Sequence, residues 1–297
     1  MFTGTYIAQQ LLNGLVLGSM YALLALGMTV VYGILRLINF AHGALVTAGA
    51  FTFFGIFAVL GWPFALALAA ALLVGGVMGF LLDLVGYRKL RGGPEVALLI
   101  TSLGIYILLE NLIKLLATPQ PYAFRPPVFL TQLHNLGGVA FRTVDIFIIA
   151  VSVVIMAAFA AFIKRTKLGI AMRATAESVE AAQLVGINVN QVVAVAFVLG
   201  SAVAAITGFM WGAKYGQIAY DMGFMAGVKA FVAIVIGGIG SIPGAMIGGF
   251  VLGLVETLAV GFLPPGFAEY RDAIVFTLLI LVLLLKPTGI MGRKEAV

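Results

Sequence analysis

The feature that most constrains this chain is a series of apolar runs, most of them about as long as a membrane-spanning helix. Such a helix needs about 20 mostly apolar residues. Nine candidate spans follow one another, at residues 11–32, 42–60, 64–84, 96–117, 144–163, 192–211, 227–239, 245–262 and 273–285. Only 9% of the residues are charged, against about 25% in soluble domains. The pattern excludes a soluble enzyme and a disordered chain. It predicts an all-α, polytopic membrane protein with a single transmembrane domain over residues 1–297.

Segment 227–239 decides whether the chain has eight or nine spans, because it is shorter than a regular span. Short loops rich in Lys and Arg face the cytoplasm. Three basic clusters indicate internal loops: Arg88, Lys89 and Arg91; Lys164, Arg165, Lys167 and Arg173; and Lys286, Arg293 and Lys294. The last two clusters lie on the same side only if 227–239 crosses the membrane. We therefore predict a crossing by a short or broken helix, with the N-terminus outside.

The two longest loops differ in composition and in the side of the membrane on which they are predicted to lie. Loop 118–143 contains four of the ten prolines and is predicted to be an external, rigid and extended connection. Loop 164–191 is the one long internal polar stretch. Within it, residues 173–185 lack Pro and Gly and predict one short helix, which Gly186 would end in a left-handed conformation. Val179, Ala182 and Val185 form an apolar stripe, which is typical of a surface that packs on a partner.

This internal loop carries a family resemblance. Glu180-Ala181-Ala182, followed after three residues by Gly186, resembles the coupling loop of ABC importer permeases. The continuation at 196–200 departs from the Ile-x-Leu-Pro ending that this loop has in the amino-acid and maltose permeases. The resemblance implies that a short helix here is held in a groove of an ATPase subunit. The residues it implies for ATPase coupling are Arg173, Glu177, Glu180, Ala181, Ala182 and Gly186.

Three further stretches specify the family. The run from Asn13-Gly14 through Ile38-Asn39-Phe40-Ala41-His42-Gly43, the segment 169–174, and the glycine-rich segment 237–245 closely resemble branched-chain amino-acid ABC permeases of the shorter H type. The resemblance covers essentially the whole chain. It implies the ABC importer permease fold, without a cofactor or bond chemistry of its own.

The same resemblance implies a function and a set of partners. The chain would be the transmembrane subunit of an ATP-driven importer for branched-chain or hydrophobic amino acids, working by alternating access in the bacterial inner membrane. Its expected partners are a second homologous permease, giving a heterodimer, two cytoplasmic ABC ATPases, an extracytoplasmic substrate-binding protein and the lipid bilayer. Nucleic acid is not expected.

Polar side chains inside spans are candidates for the translocation path, because they are costly in lipid unless they pair or line a cavity. The candidates are Asn39, His42, Thr101, Ser102, Glu110 and Asn111. For Asn39 and His42 the alternative is a place at the cytoplasmic interface, capping the next helix. For Glu110 it is an i, i+4 pair with Lys114 that reaches outward. Thr101 and Ser102 can instead bond the preceding turn.

Glycines recur at i, i+4 spacing, which lets helices approach closely in lipid. The pairs and triplet are Gly14/Gly18, Gly75/Gly79, Gly240/Gly244/Gly248 and Gly249/Gly253. They are expected either to pack helices within the subunit or to form a moving or dimerising interface.

The sequence fits three other classes of protein to different degrees. A permease for urea or short amides would be an ABC importer of the same architecture. An ion-coupled carrier needs acidic residues inside the membrane, and Glu110 and Glu256 are the only acidic residues well inside the predicted spans. The sequence has no cysteine and no HExxH motif, and no Ser/His/Asp set is evident, so an intramembrane enzyme is disfavoured. It also lacks a GxxxxGK[ST] phosphate loop. ATP hydrolysis is therefore expected in separate subunits.

Overall fold

The computed structural model describes residues 3–292 apart from 118, 265 and 267. Arg293 and Lys294, two members of the third basic cluster, lie outside the described residues. The eleven α-helices of the described part are α1 Gly4–Leu35, α2 Ala41–Phe54, α3 Phe64–Leu81, α4 Glu95–Leu116, α5 Thr143–Arg165, α6 Lys167–Glu177, α7 Val179–Leu184, α8 Val189–Tyr215, α9 Met222–Gly237, α10 Ile242–Phe262 and α11 Arg271–Leu285. The π turns Gly55–Val59 and Leu82–Tyr87 extend α2 and α3.

The predicted all-α, polytopic character is confirmed. Within the described residues, seven helices are long and apolar enough to cross a membrane. The remaining two predicted spans are the shorter helices α9, with 16 residues, and α11, with 15. At 1.5 Å per residue α9 is about 24 Å long, close to a bilayer core of about 30 Å. It begins at Met222, five residues before the predicted start, and runs unbroken to Gly237.

Contacts made by the loops define two ends of the bundle. At one end, β1 (Tyr122–Ala123) pairs with β4 (Gln217–Ile218), and the Gln9 side chain hydrogen-bonds the backbone of Ala140 in both directions at 2.8 Å. We call this the outer end, because loop 118–143 lies there. At the inner end, which carries loop 164–191, the Arg91 guanidinium donates to Asn190 at 2.5 Å.

Helix α9 connects these two ends. It follows β4 at the outer end. Its last turn packs against the segment that follows α11. The Ile290 amide donates to the Ile236 carbonyl at 2.9 Å, and the Met291 amide donates to the Gly237 carbonyl at 2.8 Å. The segment therefore traverses the bundle, as the charge parity predicts, and does not turn back.

A glycine seam, formed by Gly14 and Gly18 on α1 and by Gly249 and Gly253 on α10, joins these two helices backbone to backbone. A Cβ atom at Gly18 would lie 2.9 Å from the Cα of Phe250, and one at Gly253 would overlap the backbone of Gly18. Small residues are required here because the helix axes are too close for side chains. These two glycine pairs therefore pack helices within the subunit. Helix α1 is the most buried of the long helices.

The loops contain more structure than predicted. Loop 118–143 is not simply extended, because Leu133–Leu136 (β2) and Val139–Arg142 (β3) form an antiparallel hairpin around Gly137 and Gly138. Both glycines have positive φ, which suits a tight hairpin turn.

Candidate functional site

The internal helix predicted over 173–185 is two helices, and the prediction of one helix is wrong. Ser178 adopts an extended conformation between α6 and α7, and its hydroxyl accepts from the Ala181 amide at 3.1 Å. Serine competes for local backbone donors in this way, which favours helix starts over helix interiors. Sequence reasoning that considered only Pro and Gly as breaks therefore missed the boundary.

The end of α7 is as predicted. Gly186 has φ of +83°. Its amide donates to the Gln183 carbonyl and the Ile187 amide donates to the Ala182 carbonyl, both at 3.0 Å. These two bonds are the Schellman arrangement that a glycine in the left-handed region allows. The six residues of α7 are thus fixed at both ends.

Five of the six predicted coupling residues are exposed at the inner end, and one is not. The exposed ones are Arg173, Glu177, Glu180, Ala181 and Gly186. Ala182 is buried, so the apolar stripe differs from the predicted one. The large apolar side chains exposed at the end of α7 are Leu184, 89% exposed, and the C-cap residue Val185, 76% exposed. Two adjacent large apolar side chains in a polar loop are typical of a partner-binding surface.

A polar cluster lies at the break between α1 and α2. The Tyr87 hydroxyl donates to Oδ1 of Asn39 at 2.9 Å. The Ser102 hydroxyl donates to the Leu99 carbonyl in the preceding turn at 2.8 Å, as the alternative predicts, and also lies 3.3 Å from the Ile38 carbonyl and 3.4 Å from the Phe40 amide. Asn39, Tyr87 and Ser102 are all buried. The cluster ties the break to α4 and to the end of α3, and Asn39 does not cap α2 with its side chain.

His42 is buried next to this cluster, in the first turn of α2. Its ring bonds the backbone of Leu24, and its Nε2 has no hydrogen-bond partner among the described residues. The ring lies against Gly27, where a Cβ atom would be 3.0 Å from Cε1. Asn39, His42 and Ser102 thus lie near one another around the break. The ring of His42 lies at the level of Leu24 and Gly27, more than two turns before the end of α1, so it is inside the bundle and not at its inner end.

The other three path candidates do not join this cluster. The Thr101 hydroxyl bonds the Ala97 carbonyl and the Asn111 amide bonds the Ile107 carbonyl, each one turn earlier at 2.8 Å. Glu110 bonds Tyr106 on its own helix. Lys114 lies over the ring of Tyr220, 5.0 Å from its centroid, so the predicted pairing of Glu110 with Lys114 is wrong.

Sequence reasoning missed a cluster of four charged residues in the outer half of the bundle: Lys229, Glu256, Arg271 and Asp272. Nζ of Lys229 lies 2.7 Å from Oε1 of Glu256 and 2.8 Å from Oδ1 of Asp272. Nε of Arg271 lies 3.2 Å from the same Glu256 oxygen, and the Tyr21 hydroxyl donates to the other at 2.9 Å. The side chains of Lys229 and Glu256 are only 4% and 2% exposed. Two cations and two anions leave this charged cluster neutral.

The charged cluster forms one wall of a cavity of about 360 Å³ at the outer end. The rest of the wall is mainly aromatic and apolar, with Tyr21, Trp211, Tyr215, Met222, Met225 and Ala226. The rings of Tyr21 and Trp211 have centroids 5.9 Å apart. A second cavity, of about 510 Å³, shares Tyr215, Glu256 and Arg271 with the first and continues along α1. Charged groups inside a bundle that line a cavity mark the course of polar cargo in membrane proteins.

Sequence reasoning missed the pairing of Lys229 with Glu256 for a physical reason. Glu256 has no basic residue one turn away on its own helix, and Lys229 lies on a different helix. A sequence signal existed nonetheless, because each is a lone charge in one of two consecutive apolar segments. Two buried charges of opposite sign offset part of the cost of their burial when they pair.

A bundle of apolar helices with a charged cavity at one end and exposed apolar side chains in a polar loop at the other fits a membrane transport permease. The sequence comparisons agree. The profile of the family described as branched-chain amino acid transport system, permease component, matches residues 10–283.

Individual relatives cover nearly the whole chain. The high-affinity branched-chain amino acid transport system permease protein BraD of Pseudomonas aeruginosa is 42% identical, over 97% of this chain and 96% of its own. LivH of Escherichia coli, of the same description, is 42% identical over 98% and 97%. The permease LivM of Salmonella typhimurium is 26% identical over 91% of this chain and 67% of its own. No solved structure matches this chain. The chain belongs to the family of branched-chain amino acid transport permeases.

Proposed function

We propose that this chain is the transmembrane subunit of an ATP-driven importer of branched-chain and other hydrophobic amino acids in the bacterial inner membrane. The names of the relatives support the substrate class. Similarity to both LivH and LivM supports pairing with a second, homologous permease. Two ATPases would bind at the inner end, and a substrate-binding protein would deliver the amino acid at the outer end.

The observation that carries the proposal is the surface of α7. This helix is short, fixed at both ends by Ser178 and Gly186, and presents Leu184 and Val185 to the surroundings. A rigid helix with exposed apolar side chains can be gripped by another subunit and can transmit its displacement to α6 and α8. ATP-driven closure of the ATPases would in this way reorient the spans, giving alternating access.

The Gly186→Val substitution tests this coupling. Valine resists the left-handed conformation that Gly186 holds, so the end of α7 must change while the spans stay intact. We expect normal membrane insertion and continued ATP hydrolysis by the assembled complex, with little leucine uptake per ATP hydrolysed. Both rates are measured in proteoliposomes with the binding protein present.

The matched control is Gly92→Val. Gly92 is exposed, lies near the inner end and has φ of +82°, but it lies outside α6 and α7. We expect Gly92→Val to keep the wild-type ratio of uptake to ATP hydrolysis. Wild-type coupling in Gly186→Val would overturn the assignment of α7.

The cargo is tested by competition. Uptake of labelled leucine should fall when unlabelled isoleucine or valine is added and should be unaffected by urea. Competition by urea instead would favour the amide permease. Leucine uptake that persists without the ATPases and collapses with the ion gradient would indicate an ion-coupled carrier.

A further inference from the structure

The cavity beside Lys229, Glu256, Arg271 and Asp272 has no part in the coupling surface, yet it combines features of a ligand site. Small-molecule pockets are usually about 300–1,000 Å³, mostly apolar, with a few polar groups that fix orientation. This cavity has about 360 Å³. Its lining is more polar than that of a typical pocket, because four charged side chains lie there with three aromatic rings and two methionines.

We infer that this cavity binds the zwitterionic head and the apolar side chain of an amino acid on its way through the permease. The inference rests on the proposed function for the cargo. The α-carboxylate would lie toward Arg271, and the α-ammonium toward Asp272. The apolar side chain would lie against Trp211 and the methionines.

The charges of the cluster fit this ligand class. An amino acid carries one positive and one negative group on adjacent atoms, and it has no net charge. Arg271 and Asp272 are adjacent in the chain, of opposite sign, and 50% and 39% exposed, so they are the members of the cluster that a ligand can reach. A neutral cluster accepts a zwitterion without leaving a net charge in the bundle. A ligand that is only an anion or only a cation would leave a net charge in the bundle, at a high cost in free energy.

The contacts of Arg271 leave guanidinium N–H donors that can bind a carboxylate. Among the described residues its contacts with Glu256 and Asp272 are made by Nε, at 3.2 and 3.7 Å. A guanidinium has five N–H donors in a fork that matches a carboxylate. Urea carries no charge and would leave the cluster's own pairs as they are. The cavity therefore favours amino acids over amides.

The absence of cysteine from the chain allows a direct test. Met222→Cys places a single thiol on the cavity wall, and Ala219→Cys provides a second reporter beside Gln217, which also lines it. Thr131→Cys, in the exposed outer loop away from the cavity, is the matched control. Each variant is assembled with its partner subunits in right-side-out vesicles, without binding protein, and treated with a membrane-impermeant maleimide. Labelling is measured on this polypeptide after separation.

We expect leucine to slow labelling at positions 222 and 219 and to leave position 131 unchanged. Leucinol lacks the carboxylate and 4-methylpentanoate lacks the ammonium group. Each should need about tenfold or more higher concentration for equal protection, as expected for loss of a charge-assisted hydrogen bond. Urea should not protect.

Two further variants separate binding from a purely structural role. In the Met222→Cys background, Arg271→Gln should abolish the preference for leucine over leucinol, and Asp272→Asn the preference over 4-methylpentanoate. Loss of fold alone would not remove these two preferences selectively.

The outcomes distinguish this site from the proposed function. Failure of leucine to protect either reporter, in vesicles that import leucine once binding protein is supplied, overturns the site and leaves the function intact. Equal protection by urea also overturns it. Charge-dependent protection in vesicles that import no leucine would support the site and count against the proposed function.

Discussion

At the inner end, the six-residue helix α7 and its C-cap expose Leu184 and Val185, whereas in the outer half Lys229 and Glu256 are enclosed between α1, α9, α10 and α11. Apolar groups face the surroundings at one end, and charges face the interior at the other. Each arrangement is unfavourable for an isolated subunit, which points to a binding partner at the inner end and to a polar cargo in the outer half.

The two regions also differ in the interactions that stabilise them. The inner surface depends on local bonds within a few residues, at Ser178 and Gly186. The charged cluster depends on pairs between separate helices. We therefore expect substitutions in the cluster to affect the fold, and substitutions around α7 to affect coupling while the fold is retained.

The largest effect is expected from Lys229→Met. It leaves Glu256 buried without its closest cation, and breaking a buried pair in this way costs about 3–5 kcal/mol of unfolding free energy. Unfolding in mixed micelles, followed by the fluorescence of Trp62 and Trp211, measures the loss. The exposed Lys89→Met should have little effect.

The double variant Lys229→Met, Glu256→Met sharpens this result. Removing both charges should restore much of the stability, because an apolar pair needs no compensation. It should nevertheless remain poor in leucine uptake if the cluster binds cargo. Equal stability of the single and double variants would contradict the paired arrangement.

A smaller effect is expected at the polar break near the inner end. Tyr87→Phe removes the donor to Asn39 and should lower the unfolding free energy by about 1–2 kcal/mol. Thr101→Val, which loses only a bond to its own helix, is the comparison and should change it less. The same fluorescence assay applies. An equal loss in both variants would show that the break needs no hydrogen bond from Tyr87.

The smallest effect is expected from Ser178→Ala. Loss of the N-cap bond should cost about 1 kcal/mol locally, without changing the unfolding of the whole protein. Hydrogen exchange should accelerate at the amides of α7, from Val179 to Leu184, and not in α5. Unchanged exchange in α7 would mean that Ser178 does not hold this helix.

Sequence reasoning succeeded where the determinants are local or compositional. The all-α, polytopic architecture, the unbroken course of α9 and the turn at Gly186 follow from apolar length and the conformational freedom of glycine. It failed where a contact between two helices determines the partner of a side chain. The partners of Glu256 lie on α9 and at the start of α11, and the preference of Lys114 for Tyr220 joins α4 to the loop before α9. No spacing along the chain encodes these contacts.

The glycine seam between α1 and α10 has a consequence for biosynthesis. Helix α1, the most buried of the long helices, is synthesised long before its close partner α10. Until α10 arrives, α1 must remain in the bilayer with its small residues facing lipid or provisional neighbours. Contacts so distant in sequence form late. The final packing of this permease therefore waits for its C-terminal third, and chains that end before α10 are expected to be the ones that quality-control proteases remove.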